Sequence, residues 1–245
     1  MKNESTYVRK FASLFKKMPA APDTPPQRDP VTQMVVAFLQ WESTRKHAES
    51  AFKRIMEVMV DNNDLRVSHA QQIAAIIGDN YPRAEERVAR MKDAMQEIYV
   101  REHAIHPQSM AEKSKKDVRA YFDSLPGMTA YVSACVLLLS YGAHVVPVDS
   151  KLAELLKSEG VVDATATAEQ IEGFLERYFK AGEALEAHLR LQAWSDENRR
   201  PSKPEKPAAK PGKAKAAPAK TAKPSKPAKP AKSAKPAKPH PKKAK

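Results

Sequence analysis

Cysteine is almost missing from this chain: Cys135 is the one example in 245 residues. One thiol cannot close an internal disulfide, hold an iron–sulfur cluster or build a zinc finger. Its place in an apolar stretch marks it as a small core residue, and an intracellular, reducing compartment fits. His103 and His106 have the spacing of two ligands on one helical turn, but no further Cys or His supports them and Pro107 follows at once. No metal and no cofactor is therefore expected. No apolar run reaches the roughly 18 residues of a membrane span. The stretch 1–18 lacks the apolar core of a signal peptide, and Glu4 counts against a transit peptide. Convincing alternating strands are missing as well.

Net basic charge is missing from most of the chain too. Residues 201–245 hold fifteen lysines against one acid, Glu205, so a total of +13 leaves about −1 for residues 1–200. The high pI belongs to the tail, and a basic block of this kind is a solvated arm for nucleic acid or an anionic surface.

What is present has helical spacing. The first helix runs to about Met18, with Val8, Phe11, Leu14, Phe15 and Met18 on one face. A Pro-rich linker spans residues 19–30. Val31 to Trp41 is nearly continuous apolar sequence and reads as a buried helix, with Trp41 in the core. In Ser43 to Val60, Ala48, Phe52, Ile55 and Met59 mark one buried face. Capping boxes are expected at Ser68 with Gln71, Ser109 with Glu112 and Thr167 with Gln170. Pro82 stands where a helix can begin. Val132 to Leu139 is apolar all round and marks the central helix. Asp149 can cap the helix Ser150 to Glu159, which Gly160 ends, and Glu183 to Trp194 forms the last helix.

The informative stretch is Leu125-Pro126-Gly127-Met128-Thr129-Ala130-Tyr131, followed at a distance by Val148-Asp149-Ser150-Lys151. A helix ends, a tight Pro-Gly turn follows and an apolar helix begins, which is a helix–hairpin–helix. Its backbone N–H groups at a helix N-terminus form a natural phosphate site that grips the backbone without reading sequence.

On these residues the chain resembles the helix–hairpin–helix DNA glycosylase superfamily, its endonuclease III branch in particular. That family has a hairpin Leu-Pro-Gly-x-Gly, an apolar helix and then Val-Asp. Gln40 resembles the family glutamine that probes the duplex where the damaged base has left, and Tyr81-Pro82-Arg83-Ala84-Glu85 is similar to the family's Tyr-x-x-Lys-Ala helix start. The resemblance spans roughly residues 5–195. It implies an all-α bundle of about ten helices over residues 1–200. It also implies a base flipped out of the stack, with Asp149 stabilising the cationic sugar as the glycosidic bond breaks. Bifunctional relatives carry a lysine whose amine attacks C1′. Tyr131 stands there, so the resemblance implies a monofunctional base-excision-repair glycosylase without lyase activity.

Three further departures bear on this. Thr129 replaces the second hairpin glycine and would be strained if the position needs positive φ. Lys151 follows the aspartate, as a displaced amine or a phosphate contact. The four-cysteine cluster of many relatives is missing. The alternative is a catalytically inactive DNA-binding or damage-recognition module. Plainer roles also stand beside the sharp ones: Asp149 as an N-cap only, Tyr131 as a core residue, Gln40 as a helix-end polar group. Lys115, Lys116 and Arg119 either touch phosphate or form a solvated face.

From Pro201 to Lys245 the chain repeats Lys-Pro-Ala and Ala-Lys-Pro without one aromatic or branched aliphatic residue. It is expected to be disordered, a second unit after residue 200. It resembles the arms of linker histones. Lys203, Lys206, Lys210, Lys213 and Lys215 are its first phosphate contacts, beside Gln40, Leu125, Gly127, Thr129 and Ala130 in the folded part. The expected partner is damaged or mismatched double-stranded DNA, met by a monomer and without a membrane. The expected location is cytoplasmic and nucleoid-associated in a bacterium, or nuclear in a eukaryote.

Overall fold

A computed structural model describes residues 4–78 and 80–198. The chain divides into two units, Met1–Ser202 and Lys203–Lys245, and the second lies outside the described residues. The expectations for the tail and its lysines at 203, 206, 210, 213 and 215 fall there.

The described residues form eleven α-helices and no strand. They are α1 (Glu4–Lys17), α2 (Pro30–Gln40), α3 (Arg45–Val58), α4 (Asn62–Val67), α5 (Ala70–Ile77) and α6 (Ala84–Glu102). Then follow α7 (Lys115–Asp123), α8 (Ala130–Tyr141), α9 (Ser150–Ser158), α10 (Ala168–Tyr178) and α11 (Ala184–Asn198). None is long and apolar enough to cross a membrane.

The apolar pattern decides the centre. α2 and α8 are buried along most of their length and pack on each other. α3 and α6 lie on α2, and α7 lies on α8, so these helices enclose one core. α11 reaches across to α3, α8 and α9. α1 docks on α10 through Phe11, which meets the rings of Phe174, Tyr178 and Phe179 edge-on. Val8, expected on that face, is exposed. Arg190 of α11 holds the end of α1, donating to the carbonyl oxygens of Phe15 and Pro19.

Helix ends are where local patterns succeed or fail. Thr167 and Gln170 form the expected capping box. Ser68 does not: it closes α4, its hydroxyl donates back to the Asp64 carbonyl at 2.8 Å, and α5 starts from His69. Ser109 starts no α-helix either, because Glu102 at the end of α6 takes both its N–H and its hydroxyl. The helix expected at Pro82 begins at Ala84, after a left-handed Arg83.

Candidate functional site

The hairpin joins α7 to α8. Arg101 donates to the Ser124 hydroxyl at 2.7 Å and holds the end of α7. Leu125 is buried and anchors the turn, which closes through Met128 N–H to the Leu125 carbonyl at 3.2 Å. Gly127 has φ +74°, and a Cβ there would lie 2.6 Å from the Arg90 carbonyl oxygen. Both conformation and space demand glycine.

Thr129 would be strained only at positive φ, and it does not lie there. Its φ is −112° and its hydroxyl caps α8 by accepting from Val132 N–H at 3.2 Å. The left-handed residue of this hairpin is Gly127 alone, so the threonine gains a cap instead of paying for a glycine's conformation. Thr129 and Ala130 thus open α8 at the surface, where first-turn N–H groups lack intrahelical partners and attract an anion. Gly127→Ala is expected to destabilise by at least about 1–2 kcal/mol. It should weaken undamaged-duplex binding by residues 1–200 about tenfold, if the hairpin supplies one charge-assisted phosphate bond. Thermal unfolding and fluorescence anisotropy measure the two, and unchanged affinity would remove the hairpin from the DNA interface.

The basic residues before the hairpin are mostly committed elsewhere. Lys115 donates to the Gly142 carbonyl at the end of α8. Arg119 is taken by Glu172 at 2.6 Å, with Asp123 and Glu176 at 3.6 and 3.7 Å. Lys116 remains exposed.

Asp149 begins α9 and is 4% exposed. Its Oδ1 accepts from Leu152 N–H at 2.8 Å, the expected N-cap bond, and its Oδ2 accepts from Glu42 N–H at 3.2 Å. The second bond ties α9 to the turn after α2. The Ser150 hydroxyl donates to Glu42 Oε1 at 2.6 Å, beside the first link.

That turn is itself clamped. Arg87, fully buried, donates to the Phe38 carbonyl and, at 3.2 Å, to that of Leu39, and on its other side to Pro82. The Tyr81 hydroxyl donates to the Leu39 carbonyl at 2.7 Å. Unpaired carbonyls at a buried helix end are costly, so a guanidinium and a phenol satisfy them together. Burial lowers Arg87 to about 10, well below the usual guanidinium range. Trp41 is buried beneath Arg83, Arg87 and Arg90, whose guanidinium carbons lie 5.5–5.7 Å from its ring centre.

Tyr131 is 3% exposed, and its hydroxyl donates to Gln192 Oε1 at 3.2 Å. Gln192 donates on to Asp196 at 2.8 Å, and Asp196 accepts the Arg45 N–H at the start of α3. A cavity of about 20 Å³ lies beside this relay, lined by Gln40, Arg45, His188 and Gln192 among others. It holds one water at most. The structure therefore gathers Gln40 and Gln192 around one cavity, and Asp149 with Glu42 and Ser150 at one junction. Lys151 stands apart, partly exposed and paired with Glu154 at 3.4 Å. Glu42, Arg87, His188 and Gln192 carried no motif in the sequence, and Arg83 stood only in the helix start that opens at Tyr81.

His188 is held neutral. Burial, and then the nearby Arg45 charge, lower it to about 4 from 6.5. A base whose folded pKa is depressed leaves the unfolded chain binding more protons between those values, so stability falls as pH falls from 6.5 toward 4. The loss is expected to reach about 3 kcal/mol at the acid end. Thermal unfolding across this range, compared with His188→Gln, checks it. Parallel curves for the two proteins would mean that His188 titrates normally.

Cys135 is buried, and burial pushes its thiol well up, as befits an inert core residue. His103 caps α6 in the left-handed region. Among the described residues no group of three or more His, Cys, Asp or Glu is placed to hold a metal.

No protein-family model matches the sequence, and no curated protein matches it. Solved structures do match its fold. A trapped endonuclease III–DNA covalent intermediate is similar at a TM-score of 0.57 and 14% identity, over 78% of this chain and 85% of that one. A thermostable thymine-DNA glycosylase gives 0.55 and 16%, over 83% and 90%. The H. pylori 3-methyladenine DNA glycosylase bound to 1,N6-ethenoadenine gives 0.55 and 11%, over 82% and 100%. The described residues thus share the all-helical fold of these DNA glycosylases.

Proposed function

From a fold shared with DNA glycosylases, we propose that this protein binds duplex DNA through the 124–131 hairpin and releases a damaged or mismatched base by hydrolysing its N-glycosyl bond. The observation that carries the reading is Asp149: a carboxylate at a helix N-terminus, bonded on both oxygens, joined to the same α2 end that carries Gln40. A fixed anion beside C1′ stabilises the oxocarbenium charge that grows as the bond breaks, and a preorganised one does so without reorganisation. It also orients and activates the attacking water. Tyr131 is a phenol and forms no Schiff base, and Lys151 is engaged by Glu154. The reaction therefore ends at an abasic site, with no lyase step.

One observation favours a second reading, a catalytically inactive damage-recognition protein. The cavity lined by Gln40 and Gln192 has room for only about 20 Å³. A ligand pocket commonly holds about 300 Å³ or more. Catalysis requires this cavity to widen when DNA binds.

The test is a panel of lesion-bearing and mismatched duplexes, read with and without alkali, with a borohydride trap beside them. Strand breaks only after alkali are expected. Breaks without alkali and a trapped adduct would overturn the monofunctional reading. Salt-sensitive binding with no base released from any duplex would leave the second.

A further inference from the structure

We propose that Glu42 is a positioning residue: its carboxylate, held by Arg83, sets the turn whose N–H fixes Asp149. The inference rests on the role of Asp149 given above.

The backbone points to it first. Glu42, after α2, has φ +53°, and Arg83, before α6, has φ +52°. Left-handed residues are ordinarily glycine, because a Cβ is crowded there. Glycine would suit both places, and the chain carries instead two long, oppositely charged side chains that meet. Arg83 Nε lies 3.2 Å from Glu42 Oε2. Strain of this kind persists where the surrounding contacts over-determine it, and it gathers at functional sites.

The second observation is what Glu42 touches. Asp149 Oδ1 is occupied within its own helix by Leu152 N–H. Oδ2 accepts from Glu42 N–H at 3.2 Å, so this bond helps to set the rotation of the carboxylate. That N–H belongs to a short turn, residues 41–44, between α2 and α3. The Glu42 side chain anchors the turn on both sides, taking the Ser150 hydroxyl at 2.6 Å on Oε1 and Arg83 on Oε2. Its own side chain is 13% exposed, while its partners Ser150 and Arg83 stand nearer the solvent. Side chain and N–H of one residue thus fasten both ends of the Asp149–Ser150 step.

The test needs no knowledge of the natural lesion. Two duplexes are compared in binding to the full chain: one with a neutral tetrahydrofuran in place of one nucleoside, one with a pyrrolidine whose protonated ring mimics the cationic sugar. Their affinity ratio reads the carboxylate directly. The wild-type protein is expected to prefer the cation about 100-fold. Asp149→Asn should bring the ratio to about one. Glu42→Gly relieves the left-handed strain, so its melting temperature should hold or rise. Its neutral-duplex affinity should also hold, while the ratio falls about tenfold through misplacement of Asp149. Glu42→Gln keeps an acceptor for the Ser150 hydroxyl but turns an amide N–H on Arg83, so it should recover only part of the ratio. A wild-type ratio in Glu42→Gly overturns this inference and leaves the role of Asp149 standing. So does a fall in melting temperature and in both affinities together, since that is a purely structural effect. No preference in the wild-type protein overturns both readings.

Discussion

Asp149→Asn is expected to slow base release by about 10²–10³-fold, the usual cost of removing one preorganised electrostatic group. The fold should survive. Asparagine caps helices about as well as aspartate, and its amide oxygen can take the bond from Leu152 N–H. The amide nitrogen then faces Glu42 N–H, two donors opposed, where Oδ2 accepted before. One lost bond of this type costs about 1 kcal/mol. The melting temperature should therefore drop by a few degrees at most, on the order of the 2–4 °C per kcal/mol of a domain this size. Undamaged-duplex affinity should stay, since the hairpin is untouched. Single-turnover excision on a duplex that the wild-type protein processes, with anisotropy and thermal unfolding beside it, separates these effects. Equal excision rates in the two proteins would reduce Asp149 to an N-cap and move the catalytic role to another residue.

The parts legible in the sequence share one property: their physics is local. Gly127 sits in a Pro-Gly turn, Thr167 and Gln170 lie three residues apart, and Asp149 directly precedes its helix. Each is decided by neighbours within one turn. The same locality misled at Ser68 and Ser109, where the three-residue spacing is correct but a partner from the preceding helix wins. Ser109 loses to Glu102, seven residues upstream. Thr129 would be strained only at positive φ, and the hairpin adopts that conformation at Gly127 instead.

What stayed hidden is the long-range part of the site. Tyr131 and Gln192 are 61 residues apart, and Glu42 and Asp149 are 107 apart. Nothing in the periodicity of either segment announces its partner. A left-handed glutamate carries no signature, because its conformation is imposed by Arg83 and Ser150 and not by its own propensity. Arg87 was equally silent: in sequence it is one charge on an amphipathic helix, in space the cap of α2. Arg119, a candidate phosphate contact, turned out to belong to three carboxylates.

Removing residues 201–245 is expected to lower duplex affinity more than any substitution in the folded part. Residues 1–200 carry a net charge of about −1, so they hold little long-range attraction for a polyanion. The tail has fifteen lysines and one acid. If it neutralises about six phosphates, the slope of log affinity against log salt steepens by about 5, and a fourfold rise in salt costs about 10³-fold. Deletion should flatten that slope and cost a comparable factor at low salt. Replacing Lys203, Lys206, Lys210, Lys213 and Lys215 by alanine should account for about a third of the change, as these are five of the fifteen. Preference for a lesion-bearing duplex over an undamaged one should persist, because phosphate contacts carry no base information. Anisotropy titrations of full-length and shortened protein at several salt concentrations measure all three quantities. A slope that does not change on deletion would make the tail a solubilising segment. Lost lesion preference would instead place the tail at the site itself.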